Sequence, residues 1–180
     1  MLLMDFDHEL IRPTKDIVKE FIFNCLANII DISACRVCDL FAGTGGLGIE
    51  ALSRGATDAL FVENDPKAAR LIRENLQKSK LSDQSILVQE NALKWLEQPC
   101  PEAFEVIIAD PPYALRCGNF IVEKVGTNGY LSPHGFLVLE TDPNEEVMEP
   151  GNFYLHKKKK WGHTMIRIFR YPNTENAGTT

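Results

Sequence analysis

Apolar and polar residues follow one another along this chain in blocks, some with the period of a strand and some with that of a helix. Residues 1–12 show no clear pattern. Pro13-Thr14 then opens a helical stretch in which Ile17, Val18, Phe21, Ile22, Cys25, Leu26 and Ile29 share one face, with Thr14 the expected N-cap. A strand is predicted at about 36–41, then a Gly-rich turn and a helix to about Ser53, ended by Gly55. Ala59-Leu60-Phe61-Val62 is a second strand reaching Glu63, and Asp65-Pro66 opens a helix whose apolar face is Leu71, Ile72 and Leu76. Ile86-Leu87-Val88 is a third strand, followed by Asn91 and a short helix through Trp95 and Leu96. Phe104 to Ala109 is almost wholly apolar, as a central parallel strand should be, and ends in Asp110-Pro111-Pro112-Tyr113. A helix at about 118–126 leads through Gly129 to a fifth strand, Phe136-Leu137-Val138-Leu139-Glu140. Phe153 to Lys159 and Thr164 to Tyr171, joined near Trp161-Gly162-His163, predict a hairpin.

Strands alternating with helices predict an α/β fold: a doubly wound, Rossmann-like sheet, mainly parallel, with a C-terminal antiparallel hairpin. The expected organisation is an N-terminal segment and helix over 1–34, a single ligand-binding domain over 35–171, and a disordered polar tail over 172–180. Ligands of such sheets sit at the carboxyl ends of the strands. Asp39, Glu63, Asn91 and Asp110 each fall at such an end, one per successive strand.

The bulk numbers narrow the class. With 180 residues, 44% hydrophobic and 24% charged, the chain is ordinary for one globular domain, and no apolar run approaches a membrane span. Met1 to Glu9 has no basic region and a very short apolar stretch, so no signal peptide is expected, and the expected compartment is the cytoplasm. Cys35 and Cys38 form a C-x-x-C, but zinc would need a second pair, and Cys25, Cys100 and Cys117 do not form one; reduced, buried thiols are expected. The four histidines show no metal-ligand spacing, so no metal is expected. Net charge is −6, yet residues 151–172 carry six basic side chains and no acid, so the rest of the chain carries −12.

Within Val37 to Gly48, Gly43, Gly45 and Gly48 fit G-x-G-x-x-G, a turn in which a nucleotide lies against bare main chain. Glu63 stands 20 residues past Gly43, where a ribose-binding carboxylate belongs. Asp39 selects among nucleotides. A carboxylate beside the turn repels a pyrophosphate but attracts the ammonium and sulfonium of S-adenosylmethionine. The candidate cofactor site is therefore Asp39, the turn residues Phe41, Ala42, Gly43, Thr44 and Gly45, then Glu63 with Asn64, and Asn91 with Ala92. Asn91 reads either as a contact to the adenine edge or as an ordinary turn asparagine.

Asp110-Pro111-Pro112-Tyr113 carries the chemistry. Two prolines stiffen the backbone beyond the strand. The Asp110 carboxylate and the Pro111 carbonyl could accept both N–H bonds of an exocyclic base amine and turn its lone pair toward a methyl group. Tyr113 could stack on the base.

Together Arg12-Pro13-Thr14, Asp39 to Gly45, Gly48-Ile49-Glu50-Ala51-Leu52-Ser53-Arg54-Gly55-Ala56, Glu63-Asn64-Asp65 and Asp110 to Tyr113 resemble the RsmD family from about residue 10 to 171. The resemblance implies methylation of the N2 amine of a guanine in small-subunit (16S) ribosomal RNA, within a ribosomal particle and by a monomer. Family members usually begin with a basic, Gly-containing segment, where this chain has the acidic Met1 to Glu9. Adenine in DNA or RNA is an alternative substrate, although no room remains for a target-recognition domain. Protein glutamine is another, but its motif normally begins with asparagine rather than Asp110. A nicotinamide-dependent oxidoreductase is disfavoured by Asp39, and a non-catalytic RNA-binding protein by the intact Asp110 and Tyr113. Lys157, Lys158, Lys159, Lys160 and Arg167, with Arg12, are the candidate RNA contacts; the lysine run reads equally as protection of an exposed edge strand.

Overall fold

The computed structural model describes residues 8–100, 102–151 and 153–172, with side chains from Lys15 onward. Seven strands, β1 (Arg36–Leu40), β2 (Asp58–Val62), β3 (Ser85–Val88), β4 (Phe104–Ala109), β5 (Leu131–Thr141), β6 (Tyr154–Trp161) and β7 (Thr164–Arg170), form one sheet in the order β3-β2-β1-β4-β5-β7-β6. The first five are parallel, while β7 runs antiparallel to both β5 and β6. This is the doubly wound sheet with a C-terminal hairpin that the pattern predicts. No helix among the described residues is long and apolar enough to cross a membrane. The polar tail predicted to be disordered lies, but for Pro172, outside the described residues.

Among the described residues five α-helices cover the sheet: α1 (His8–Ala27), α2 (Gly46–Ser53), α3 (Pro66–Ser79), α4 (Ala92–Leu96) and α5 (Gly118–Thr127). Strand alternation divides the core between the two faces. Val37, Val106, Ile108, Phe136, Val138, Ile166 and Ile168 pack with α1, α2 and α3. Cys38, Leu40, Ile107, Leu137, Leu139 and Phe169 point the other way, onto α4 and α5. Val18, Ile22, Phe23 and Leu26 of α1 belong to the first of these clusters. Cys35 and Cys38 are fully buried free thiols.

Two boundaries differ from the pattern. α1 begins at His8, upstream of the expected start at Pro13, so the residues read as a helix-opening cap lie inside a helix. β5 begins at Leu131 although Ser132-Pro133-His134-Gly135 reads as a turn. Its pairing with β4 shifts between Phe104 and Val106, and an added Cβ at Gly135 would lie 2.9 Å from the Glu105 carbonyl oxygen. The glycine thus permits close backbone approach at an irregularity that periodicity does not reveal.

The Gly turn is where sheet and helix layers meet most tightly. Phe41, Gly43 and Gly45 all have positive φ, at 59°, 57° and 79°. A Cβ on Gly48 would lie 2.3 Å from Cε1 of the buried Phe61 ring. The third glycine of the motif therefore sets how closely α2 lies on β2. Gly48→Ala is expected to destabilise the fold by about 1–3 kcal/mol through overpacking. Denaturant unfolding of Gly48→Ala, Phe61→Leu and the double variant checks this: Phe61→Leu should recover part of the loss, giving a clear coupling energy.

Candidate active site

The α1 face of the sheet ends in acids. On this face Asp39 follows Val37, Asp110 follows Val106 and Ile108, and Glu140 follows Phe136 and Val138, two residues at a time. Register brings them together: Asp39 pairs with Ile108, and Ala109 with Leu139, which sets Asp110 and Glu140 side by side on neighbouring strands. Thr164 lies on the same face, two residues before Ile166. All four line a cleft of about 880 Å³. Its walls are the Gly turn, Asp110 to Tyr113, the β6–β7 turn at Trp161 to His163, and Lys15 and Lys19 of α1.

Asp39 is 1% exposed, and its Oδ2 accepts the Gly48 N–H at 2.8 Å. One oxygen thus serves an otherwise unpaired donor in the first turn of α2. Burial pushes its carboxyl up to about 8, with the charges of Asp110 and Glu63 adding to the rise and the Gly48 bond opposing it. Asp110 is raised to about 7, chiefly by burial and then by Glu140, with Lys15 acting the other way. Tyr113 does not stand free as a stacking platform alone: its Oη donates to Glu140 Oε1 at 2.8 Å and lies 2.8 Å from Thr164 Oγ1. Burial, before these partners, raises its phenol above the ordinary range.

Glu63 clasps the turn from the end of β2. Its Oε2 accepts the Gly43 N–H and its Oε1 the Asp65 N–H, each at 2.7 Å. Each oxygen keeps a lone pair for a further donor. Asn91 caps α4, its Oδ1 accepting from the Leu93 and Lys94 N–H groups at 3.0 and 3.2 Å, which leaves its amide N–H donors rather than its acceptor for a ligand. Phe41, Ala42, Gly43 and Thr44 line the cleft with Asp39 and the Asp110 to Tyr113 segment; Glu63, Asn64, Asn91 and Ala92 lie beyond its walls.

Arg167 requires a correction. It is 7% exposed, its Nη1 donating to Thr141 Oγ1 and its Nη2 to the Glu145 carbonyl at 2.8 Å. It pairs with Lys158 across the hairpin and shares that face, but its burial and its two bonds keep it out of the exposed lysine surface. The Arg12 side chain lies outside the described residues. Lys157 to Lys160 are exposed on β6, the edge of the sheet. Lys157 and Lys159 pair with Ile168 and Ile166 and so face the cleft side, with Nζ atoms 5.5 Å and 5.8 Å from the Phe21 and Trp161 rings. Lys158 and Lys160 face the opposite way.

Glu140, Thr164 and the β6–β7 turn were missed as site residues. Glu140 carried the signal used for Asp39 and Asp110, an acid closing an apolar strand. Thr164 carried none, since its place depends on hairpin register.

The acids set a pH dependence. With the Asp39 carboxyl raised, the folded chain keeps a proton that the unfolded chain gives up near 3.8, so ligand-free stability falls as pH rises from about 4 to about 8 and then levels. Asn at 39 keeps an acceptor for Gly48 and buries no charge. Asp39→Asn is expected to melt higher than the parent at about pH 8.5 and close to it at about pH 4, with a flatter slope between, as thermal melts in the absence of ligand will read.

The family model described as "Conserved hypothetical protein 95" matches residues 2–170. The ribosomal RNA small subunit methyltransferase D of Haemophilus influenzae is 35% identical over 162 residues, covering 89% of this chain and 83% of that protein. The putative rRNA methyltransferase YlbH of Bacillus subtilis is also 35% identical over 162 residues, covering 88% of this chain and 87% of that one. Among solved structures, the putative methyltransferase yhhF from Escherichia coli superposes with a TM-score of 0.78 at 30% identity, covering 86% of this chain and 85% of that one. A more distant structure, an RNA methyltransferase from Salinibacter ruber in complex with S-adenosyl-L-homocysteine, shares the fold at a TM-score of 0.65 and 18% identity, covering 87% of this chain and 91% of that one. With a family model spanning nearly its whole length and relatives at this identity, the chain belongs to the RsmD family, that of the ribosomal RNA small subunit methyltransferase D proteins.

Proposed function

We propose that this chain is an S-adenosylmethionine-dependent methyltransferase that modifies the N2 amine of a guanine in small-subunit ribosomal RNA. The observation that carries the reading is the alignment of Asp39, Asp110 and Glu140 on one face of the sheet, inside the cleft beside the Gly turn. Buried carboxylates with raised protonation favour a cationic ligand and disfavour a pyrophosphate. The residues therefore fit S-adenosylmethionine: Asp39 and the turn from Phe41 to Gly45 would hold its charged end, and Glu63 its ribose. When bound, that cofactor supplies a methyl group on a sulfonium, which is already a good leaving group. The protein's task is then mainly to position the amine.

A guanine amine is a poor nucleophile because its lone pair is delocalised into the ring. The Asp110 carboxylate and the Pro111 carbonyl accept its two N–H bonds and free that lone pair. Tyr113, fixed by Glu140 and Thr164, holds the base in plane. The names of the relatives point to ribosomal RNA as substrate. RNA reaches the cleft past β6, where Lys157 and Lys159 stand on the cleft side and Lys15 lines the mouth. These lysines contact phosphates; Lys158 and Lys160 protect the sheet edge.

Methylation of unmodified small-subunit particles, followed by nucleoside mass spectrometry, tests the function directly: N2-methylguanine is expected, and another product or none would refute it. Asp110→Ala should bind S-adenosylhomocysteine nearly as the parent does in calorimetry yet lose most turnover. Glu63→Ala should weaken that binding by on the order of 1–3 kcal/mol. Replacing Lys157 and Lys159 with Gln should weaken RNA binding and lower its salt slope by roughly 1–2 units, whereas the Lys158 and Lys160 pair should change little.

A further inference from the structure

Glu140 is more than a support for Tyr113. Its Oε1 accepts from the Tyr113 hydroxyl at 2.8 Å and from the Thr164 hydroxyl at 3.3 Å. Its other oxygen, Oε2, has no hydrogen-bond partner among the described residues, and the side chain lines the cleft. Two hydroxyls need only a neutral acceptor, which a glutamine would supply. A carboxylate here adds charge beside Asp110 and helps drive that carboxyl up. No described residue pairs with that oxygen, so a ligand donor is the natural partner.

The substrate edge supplies such a donor. In guanine the N2 amine adjoins a protonated ring nitrogen, N1–H. Adenine has the same layout, an amine next to N1, but its N1 is an acceptor. Asp110 and Glu140 each follow the paired Ala109 and Leu139 by one residue, at the ends of parallel neighbours that run about 4.8 Å apart, within reach of one base edge. We propose that Glu140 reads the target base as guanine, its free carboxylate oxygen accepting N1–H beside the amine that Asp110 holds. The assignment rests on the methyltransferase reading above. Adenine would set the lone pair of its N1 against a carboxylate, and a site built to accept an N–H rejects an analogue lacking it far more strongly than a shape mismatch does. Selectivity for guanine therefore comes from charge on β5, while the catalytic contacts come from β4.

Glu140→Gln is the discriminating substitution: its carbonyl can still accept from Tyr113 and Thr164, but the free oxygen becomes an N–H donor. The probe is 2-aminopurine, which keeps the N2 amine and lacks the N1 proton. Turnover is measured for parent and E140Q on small-subunit RNA carrying guanine or 2-aminopurine at the modified position. The parent should prefer guanine by about tenfold or more. E140Q should lose guanine turnover and abolish or reverse that preference, with S-adenosylhomocysteine affinity unchanged. Tyr113→Phe, which leaves the Glu140 charge in place, should turn over more slowly yet keep the preference. A purely supporting role predicts the opposite pattern, with E140Q keeping the parent's preference, and that result overturns the assignment. Should E140Q fail to fold, equal rates of the parent on the two bases overturn it as well. If mass spectrometry finds a product other than N2-methylguanine, the proposed function falls and this assignment with it; if N2-methylguanine forms and E140Q discriminates as the parent does, only the assignment falls.

Discussion

The hydrogen bond from the Gly48 N–H to the buried Asp39 carboxylate ties together everything that makes this site. It fastens the first turn of α2 to the end of β1. The chain between closes with Phe41, Gly43 and Gly45 at positive φ, and Gly48 lies against Phe61. For a residue as bulky as Phe41 that conformation is strained, and it persists because the tie over-determines the turn. Glu63 fixes the same turn from β2 through the Gly43 N–H. The result is a rigid stretch of bare main chain at the carboxyl end of the sheet.

That rigidity costs stability. Asp39 is out of water with one backbone partner, and Asp110 and Glu140 stand on the same face of the next two strands. Burial first, and neighbouring negative charge after it, keeps protons on Asp39 and Asp110 well above the ordinary carboxylate range. Fold stability alone would select asparagine or an apolar residue at such positions. Their arrangement makes sense if a cation and the amine edge of a base complete the site, each meeting an acceptor already in place. A small acidic cleft on a chain of net charge −6 also repels polyanions, which supports the proposed approach of RNA over the positive strip on β6.

Much of this was legible in the sequence because period and punctuation coincide. Apolar runs of strand length, each closed by an acid or a Gly turn, located β1 to β4 and the Asp39 and Asp110 positions. What failed depended on register. Arg167 does neighbour the lysines, pairing with Lys158, but it is buried on that face, where Thr141 and Glu145 take its donors. Strand alternation separates Lys157 and Lys159 from Lys158 and Lys160. Thr164 enters the cleft only because β7 pairs with β5, a contact between segments distant in the chain. Glu140 was visible as a strand-final acid, but its partnership with Asp110 required knowing that β5 lies beside β4. The start of α1 was hidden by Pro13, which usually marks a helix opening and here lies inside the helix.

The central claim is that Asp39 and Asp110 are held partly protonated until a cationic cofactor arrives. Calorimetric titration with S-adenosylmethionine at about pH 6.5, where the ligand's own ammonium is already charged, measures this directly when repeated in buffers of different ionisation heat. If the cofactor's cation settles beside Asp39 as proposed, it must lower that residue's protonation, so protons should be released on binding, and Asp39→Asn should release fewer. Binding with no proton exchange, or with net proton uptake, would contradict the account.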